Sequence, residues 1–357
     1  MKKQIVFTGG GSAGHVSVNL ALIPLFLQEG WAVAYFGSED GMERELLTAH
    51  PEVTYYPIKS GKLRRYFDWK NFRDPFHVLK GTYQAYRLFS RLKPNVLFSK
   101  GGFVSVPVVL AARLHHVPVV LHESDLTPGL ANKISIPFAN LVCTTFPETN
   151  HHLPSGKSRY VGPVIREELK AGNAQKGRAI CGFTPDKPVL LIMGGSLGAR
   201  KINQVVREAL PRLTGKFQFV HLCGKGNLDH SIQVDGYCQY EYVTEELPDF
   251  LAMADLVVSR AGANAIFEFR ALCKPMLLIP LPLKQSRGDQ IANAHSFSKS
   301  GYCRVLLEEN LTSDALEKEI EALYHERHTY IQAMAASQQE DALQTLFTVI
   351  HEAGLQA

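Results

Sequence analysis

One pattern occurs twice, once in each half of the chain, and it narrows the choice of fold more than any other. Ile5-Val6-Phe7-Thr8 runs into Gly9-Gly10-Gly11-Ser12-Ala13-Gly14-His15, and Val189-Leu190-Leu191-Ile192-Met193 runs into Gly194-Gly195-Ser196-Leu197-Gly198-Ala199-Arg200. Each short apolar run reads as a buried strand, the glycines as a tight turn, and the residues after them as a helix start. Glycine lets the backbone come close to a ligand, and the exposed N–H groups of a helix start favour an anion. Two such units predict two similar domains facing one phosphorylated ligand.

The rest of the chain keeps the same alternation. In the first half strands are expected at Gln4–Thr8, Ala32–Phe36, Val53–Ile58, Val96–Ser99, Val117–Leu121 and Leu141–Thr144. Helices are expected between them, for example at Val78–Leu92 and Val106–His115, with Pro24 kinking the first. Short β-branched strands separated by helices read as βαβ units and a parallel sheet. Val161–Pro188 lacks periodicity and carries Pro163, Gly172, Gly177, Pro185 and Pro188, so it reads as the linker. Strands resume at Val189–Met193, Phe217–Leu222, Gln239–Val243, Leu256–Ser259, Met276–Ile279 and Cys303–Leu306. Ser313–Gly354 reads as two helices, the second packing back on the first domain. The expected class is α/β: two doubly wound, Rossmann-like parallel-sheet domains with an interdomain cleft, ligands lying at the carboxyl ends of the strands. The 357 residues divide as 1–162, 163–340 and a C-terminal helix in 341–357.

Charge and cysteine content exclude some classes. A net charge of +4 is too weak and scattered to argue for nucleic acid, while it suits an anionic substrate or membrane surface. The six cysteines form no C-x-x-C pair and most lie in apolar runs, so buried free thiols in a reducing cytoplasm are expected. Lys2 and Lys3 precede a first strand, not a signal peptide. The longest apolar candidate is broken by Arg113, His115 and His116, so no membrane span is expected.

Several clusters carry chemistry. Gly9-x-Gly11-x-x-Gly14 also fits dinucleotide enzymes, for which Glu39 after the second strand is a loose match; the second glycine loop argues against that use. His15, at the mouth of the first loop, is a candidate general base. Lys100-Gly101-Gly102-Phe103 is a third glycine turn, and His122-Glu123-Ser124-Asp125 a polar cluster at a strand end, where α/β enzymes keep site residues. His115-His116 and His151-His152 lack metal-ligand spacing and read as surface residues. Ser259-Arg260-Ala261-Gly262-Ala263-Asn264-Ala265-Ile266-Phe267-Glu268 is a further strand, turn and helix start, able to hold a phosphate, with Glu268 placed to accept from sugar hydroxyls. Gln290 and Asn293, in a polar loop entering a helix, suit hydroxyl ligands or helix capping. No Asp-x-Asp is present, so charge on a diphosphate falls to helix N-termini and basic side chains, with no metal and no cofactor expected. Lys59–Leu79 interleaves Lys59, Lys62, Arg64, Arg65, Lys70 and Arg73 with Tyr66, Phe67, Trp69, Phe72, Phe76 and Leu79, a composition that suits either an interfacial patch or packed aromatics.

In their order and spacing Gly9–His15, Lys100–Val106, His122–Lys133, Gly194–Arg200, Ser259–Glu268 and Gln290–Ala294 closely resemble the bacterial MurG family, and the likeness extends over essentially the whole chain. The resemblance implies an inverting GT-B glycosyltransferase. It would pass N-acetylglucosamine from UDP-N-acetylglucosamine to the C4 hydroxyl of the N-acetylmuramoyl unit of lipid I, giving the β-1,4-linked lipid II of peptidoglycan synthesis. It implies donor contacts at Ser12, Ala13, Gly14, Asp125, Arg166, Ser196, Val243, Ala263, Asn264, Glu268 and Gln290. It implies acceptor contacts at Gly101, Gly102 and Asn132, and catalytic roles for His15 or, less favoured, Asp125. Asp125 stands where many family members carry Asn; a negative charge there would repel a diphosphate, which turns it toward the acceptor. A peripheral place on the cytoplasmic face of the membrane and partners in cell-wall assembly are also implied. The residues themselves leave open a transferase acting on diacylglycerol or a small molecule, a UDP-N-acetylglucosamine 2-epimerase, a non-catalytic sugar-nucleotide sensor and a dehydrogenase.

Overall fold

The computed structural model describes residues 2–61, 74–195, 198–337 and 341–356. The chain forms two compact units: Met1–Val164 together with Glu340–Ala357, and Ile165–Gln339.

In the first unit the strands are β1 (Gln4–Thr8), β2 (Ala32–Gly37), β3 (Thr54–Pro57), β4 (Val96–Ser99), β5 (Val119–Glu123), β6 (Leu141–Thr144) and β7 (Ser158–Tyr160). The helices are α1 (Ser17–Gln28), α2 (Met42–Leu46), α3 (Asp74–Leu92), α4 (Ser105–Leu114) and α5 (Leu130–Ser135), and α12 (Ala342–Leu355) from the end of the chain. All pairings are parallel, in the order β3-β2-β1-β4-β5-β6-β7. Successive residues of each strand point to opposite faces, and both faces are covered, which is why the strands read as unbroken apolar runs. Ile5, Phe7, Tyr35, Phe98 and Val120 pack with Leu22 and Phe26 of α1 and Leu346, Val349 and Ile350 of α12. Val6, Phe36, Leu97, Val119 and Leu121 pack with Ala85 and Phe89 of α3 and Val108, Val109 and Ala112 of α4. Gly354 seats α12 closely: a Cβ there would lie 2.7 Å from the Trp31 ring.

The second unit repeats the plan with β8 (Val189–Met193), β9 (Gln218–Leu222), β10 (Tyr237–Tyr240), β11 (Leu256–Ser259), β12 (Met276–Leu278) and β13 (Cys303–Val305), ordered β10-β9-β8-β11-β12-β13 and again all parallel. Its helices are α6 (Ala174–Cys181), α7 (Arg200–Leu213), α8 (Leu247–Met253), α9 (Ala263–Ala271), α10 (Asp289–Lys299) and α11 (Ser313–Ala335). On α7, Ile202, Val205, Val206, Ala209, Leu210 and Leu213 recur at the three- and four-residue spacing that makes one apolar face, and that face packs with Leu190 and Ile192 of β8 and with Leu316, Ile320 and Leu323 of α11.

Both sheets reverse their strand order beside the first strand, between β1 and β4 and between β8 and β11. That is the switch point where doubly wound sheets bind ligands. The four glycine turns expected from the sequence come directly after these four strands.

Four expectations need correction. The expected strand Gln239–Val243 lies earlier, at Tyr237–Tyr240, so Val243 falls in the turn beyond it. Val161–Pro188 is not a linker throughout: it holds a 3-10 turn at Glu167–Ala171 and the helix α6, capped by the Asn173 side chain on the backbone N–H groups of Gln175 and Lys176. The polar strand β7 adds an element that the apolar pattern does not predict. Of the six free cysteines, Cys143, Cys223 and Cys303 are buried, while Cys181, Cys238 and Cys273 are only half-buried. No helix among the described residues is long and apolar enough to cross a membrane.

Candidate active site

In the first unit three neighbouring strand ends carry the candidate residues. After β1, Ser12 is exposed and a 3-10 turn, Ala13–His15, brings the His15 ring back over the loop. His15 Nδ1 lies 3.0 Å from the Gly10 carbonyl and 3.1 Å from Ser12 Oγ. A carbonyl only accepts, so Nδ1 carries the proton and Nε2 is the basic nitrogen of the neutral ring. The first loop and the loop after β4 abut: at Gly102, φ is +84° and a Cβ would lie 2.3 Å from the Gly10 carbonyl oxygen, so no side chain fits there. Gly101, also at positive φ, faces Asn132 Oδ1.

Asn132 and Glu123 form a buried brace. Glu123 accepts from the Asp125 N–H (3.0 Å), the Gly129 N–H (2.8 Å) and Asn132 Nδ2 (2.8 Å), and Asn132 also donates to the His122 carbonyl (3.1 Å). The structure thus brings Gly101, Gly102, Asn132 and Asp125 together around the ends of β4 and β5. The backbone carbonyl of Asp125 accepts from Thr149 Oγ1 at 3.3 Å.

Two buried charges beside these loops carry no individual signal in the sequence. Glu43 sits beneath the first loop, accepting from the Ser38 N–H at 2.8 Å, from Ser38 Oγ and, at 3.4 Å, from the Gly11 N–H. A buried carboxylate there opposes a diphosphate on the first loop. Glu39, the loose dinucleotide match, is half-exposed and 4.0 Å from Lys59. Lys100 is buried at the end of β4 and donates to Ser124 Oγ. Burial pushes its ammonium down from 10.5 to about 8, opposed by the carboxylates of Glu123 and Asp125. His122 beside it is fully buried and held well below its usual range, first by burial and then by the Lys100 charge, so it is neutral. Glu43 stands in sequence beside Arg44 and Glu45 and Lys100 between Ser99 and Gly101, so neither position reads as buried until the chain is folded.

Lys100 makes unit stability depend on pH. From pH 8 to 10.5 the unfolded chain holds a proton that the folded chain has lost, so stability rises with pH across that window. Below pH 8 the burial cost, about 3 kcal/mol, is fully present. Chemical denaturation of wild type and Lys100→Met is expected to show the wild type gaining on the variant between pH 8 and 10; a constant difference refutes the assignment.

In the second unit, Arg166 and Glu268, 102 residues apart, form a two-pronged pair: Arg166 Nε donates to Glu268 Oε1 at 2.7 Å and Nη2 to Oε2 at 3.0 Å. The Glu268 side chain is 10% exposed and that of Arg166 38%, so Glu268 is not a solvated helix carboxylate. The hydrogen bonds from Arg166, followed by its charge complement in Glu268, raise the guanidinium further above its ordinary range, and Tyr242 is near enough to add to this. Tyr242 is exposed beside buried Val243. Ala263, Asn264 and Glu268 all lie on α9, whose first turn opens at Gly262. Gln290 Oε1 accepts from the Ala261 N–H (3.3 Å) and the Leu281 N–H (3.1 Å), joining the turns after β11 and β12, while its amide nitrogen takes no part in this brace. Asn293 is buried and donates to the Ala261 carbonyl, so it is a brace as well. Arg166, Val243, Asn264, Glu268 and Gln290 therefore gather near the ends of the second sheet's strands. Ser196 lies outside the described residues, as does 62–73 of the basic and aromatic segment. Among the described residues, no group of three or more His, Cys, Asp or Glu is placed to hold a metal ion.

Two parallel Rossmann-like sheets, each with glycine turns at its switch point, are the architecture of the GT-B class. Residues 5–144 match the glycosyltransferase family 28 N-terminal domain and residues 189–346 its C-terminal domain. A UDP-N-acetylglucosamine--N-acetylmuramyl-(pentapeptide) pyrophosphoryl-undecaprenol N-acetylglucosamine transferase of Geobacillus thermodenitrificans is 59% identical over 98% of this chain and 99% of its own. The protein of the same description from Geobacillus kaustophilus is 58% identical over 99% of each. The crystal structure of Acinetobacter baumannii MurG superposes with a TM-score of 0.77 at 26% identity, covering 99% of this chain and 100% of that one. The calicheamicin glycosyltransferase CalG4, at 14% identity and a TM-score of 0.69 over 100% of this chain and 99% of its own, shares the fold. This chain belongs to the MurG family of glycosyltransferase family 28.

Proposed function

We propose that this chain transfers N-acetylglucosamine from UDP-N-acetylglucosamine to the C4 hydroxyl of the N-acetylmuramoyl unit of lipid I, with inversion, forming lipid II. The near-complete coverage of relatives so described, at 59% and 58% identity, carries the reading. The second unit holds the donor: the helix starts after Gly198 and Gly262 and the Arg166 cation face the diphosphate, and Glu268 and Gln290 take the sugar-nucleotide hydroxyls. The first unit serves the acceptor through Gly101, Gly102 and Asn132, with His15 receiving the proton of the attacking hydroxyl. C1 of the donor gains the acceptor oxygen as its bond to the UDP oxygen breaks, through an oxocarbenium-like transition state. Charge on departing UDP is met by fixed dipoles and Arg166 without a divalent ion. Transfer of labelled N-acetylglucosamine to a lipid I analogue, with and without EDTA, tests both points. No transfer overturns the activity, and loss of transfer in EDTA overturns metal independence.

The same reading places the enzyme on the cytoplasmic face of the membrane, held by an anionic lipid surface, with cell-wall assembly proteins as further partners. The support is a stripe on α3. Phe76, Leu79, Tyr83 and Tyr86 recur every three or four residues, and the first three are 71%, 66% and 63% exposed. Exposed Lys80, Arg87 and Arg91 flank them. Aromatic and aliphatic side chains rimmed by cations suit the lipid headgroup region. Replacing Phe76, Leu79 and Tyr83 together by serine is expected to lower partitioning onto phosphatidylglycerol vesicles by about tenfold or more, measured by co-sedimentation. Unchanged partitioning removes α3 from the membrane contact.

A further inference from the structure

Three glycines in a row do not hold a shape by themselves, because each reaches backbone conformations closed to other residues. Gly9-Gly10-Gly11 is instead held from outside. The Gly9 carbonyl accepts from the Tyr35 hydroxyl at 2.8 Å, and that hydroxyl accepts from Asn19 Nδ2 at 3.0 Å. The Gly10 carbonyl accepts from His15 Nδ1 at 3.0 Å, and the Gly11 N–H donates to Glu43 Oε2 at 3.4 Å. These last two groups are the ends of one peptide unit. Glu43 holds the N–H end, and the C=O end holds the His15 ring. Glu43 is fully buried on α2, and the Ser38 N–H (2.8 Å) and hydroxyl both donate to its Oε1, which leaves Oε2 for the loop. The carboxylate also packs on the α-carbon of Gly10, where a Cβ would lie 2.5 Å from Oε1.

We infer, on the reading that His15 receives the acceptor proton, that Glu43 is a positioning residue of the transfer, acting on His15 through the single peptide group between them. A trans peptide is planar, with its N–H and C=O at opposite ends, so anchoring one end sets the direction of the other. By holding the Gly11 N–H, Glu43 fixes where the Gly10 carbonyl points, and with it the orientation and tautomer of the imidazole bonded there. The carboxylate also polarises the peptide toward its oxygen, which strengthens the bond to Nδ1–H and makes Nε2 the better proton acceptor. A base steadied by a third group is the usual arrangement of such sites; here a backbone peptide stands between carboxylate and imidazole. No proton moves along the chain of bonds. The Gly11 and Nδ1 protons stay on their nitrogens, and only Nε2 takes up the proton of the attacking hydroxyl.

Glu43→Gln is the discriminating variant. Its amide oxygen takes over the donors of Ser38, but its amide nitrogen then meets the Gly11 N–H, donor against donor. In full-length protein, kcat for transfer to a lipid I analogue is expected to fall about 10- to 30-fold, short of the roughly 10²-fold that a misplacement of about 1 Å costs. The Kd for UDP-N-acetylglucosamine is expected to stay within about twofold. Should the glutamine variant not fold, Gly10→Ala disturbs the same peptide by pressing a methyl group on the carboxylate, and the same split is expected. Tyr55→Phe serves as the structural control. It removes the 2.6 Å bond from Tyr55 to the Ser38 carbonyl and leaves Glu43 in place, so Tm should fall while kcat stays within about twofold. The ring is also read without turnover, by nitrogen NMR of protein carrying isotope-labelled histidine, at a pH where the imidazole is neutral. The signals that vanish in His15→Gln belong to His15. They are expected to show the proton on Nδ1 in wild type and a mixture of tautomers in Glu43→Gln. An unchanged tautomer or an unchanged kcat in Glu43→Gln overturns the inference, and so does donor affinity that falls in step with kcat, which makes Glu43 a structural brace. A wild type that transfers nothing overturns the transferase reading instead, and the tautomer then still shows whether Glu43 sets the ring.

Discussion

Glu268→Ala is expected to weaken UDP-N-acetylglucosamine binding by about 2–3 kcal/mol, roughly 30- to 150-fold in Kd. The groups left behind by the substitution set this size. Arg166 loses both acceptors of its fork at once, at 2.7 and 3.0 Å, yet remains a cation. Because its side chain is 38% exposed, water recovers part of the loss, so the low end of the range for a broken charge pair applies and the stability cost should be only about 1 kcal/mol. Binding is expected to suffer more than folding if, as proposed, the pair fixes Arg166 toward the diphosphate and Glu268 itself accepts from the ligand. Isothermal titration with UDP-N-acetylglucosamine, alongside a thermal melt, separates the two. An unchanged Kd with a lowered Tm would make Glu268 a structural brace alone. Glu268→Gln keeps the shape and one acceptor but removes the charge, and should fall between alanine and wild type.

The strands and most helices are legible in the sequence because both sheets are buried on both faces. A strand such as Val189–Met193 must then be apolar at every position, and the glycine turn that follows marks where it ends. Each departure from the expected pattern has a physical reason. β7, Ser-Arg-Tyr at the sheet edge, has no buried face and so no apolar signal. Gly172 and Gly177 make α6 and its approach look like linker, but these glycines serve close packing: a Cβ on them would come 2.0 Å from the Pro248 carbonyl oxygen and 2.6 Å from that of Asp249. The glycine turns of the site are legible because tight backbone geometry leaves a residue-level mark. The pairing of Arg166 with Glu268 is not, although each residue is a candidate on its own, since nothing local joins positions 102 apart. Glu43 and Lys100 are hidden for a related reason. A buried charge is defined by what surrounds it in space, and the sequence around Lys100 offers only a strand end and two glycines.

His15→Ala is expected to lower kcat by about 10²- to 10⁴-fold, the usual contribution of a positioned general base, while the Kd for UDP-N-acetylglucosamine stays within about twofold, less than 0.5 kcal/mol. The geometry argues for the split. The ring is held through Nδ1 by the Gly10 carbonyl and Ser12 Oγ, which fixes the tautomer with its basic lone pair on Nε2. That contact lies within one short turn of the first unit, whereas the residues proposed to hold the donor diphosphate and ribose belong to the second. His15→Gln offers a sharper comparison than alanine. It retains a polar side chain of similar reach but cannot take up a proton at neutral pH, so its kcat should match that of alanine and not of wild type. If glutamine restores turnover, His15 acts by hydrogen bonding alone, and Asp125, whose N–H is anchored on Glu123 at the neighbouring strand end, becomes the group to test as base. The pH profile decides the same question independently. A neutral imidazole acting as base gives a kcat that falls on the acid side as the ring protonates, and this limb should vanish in His15→Gln if the histidine is the base.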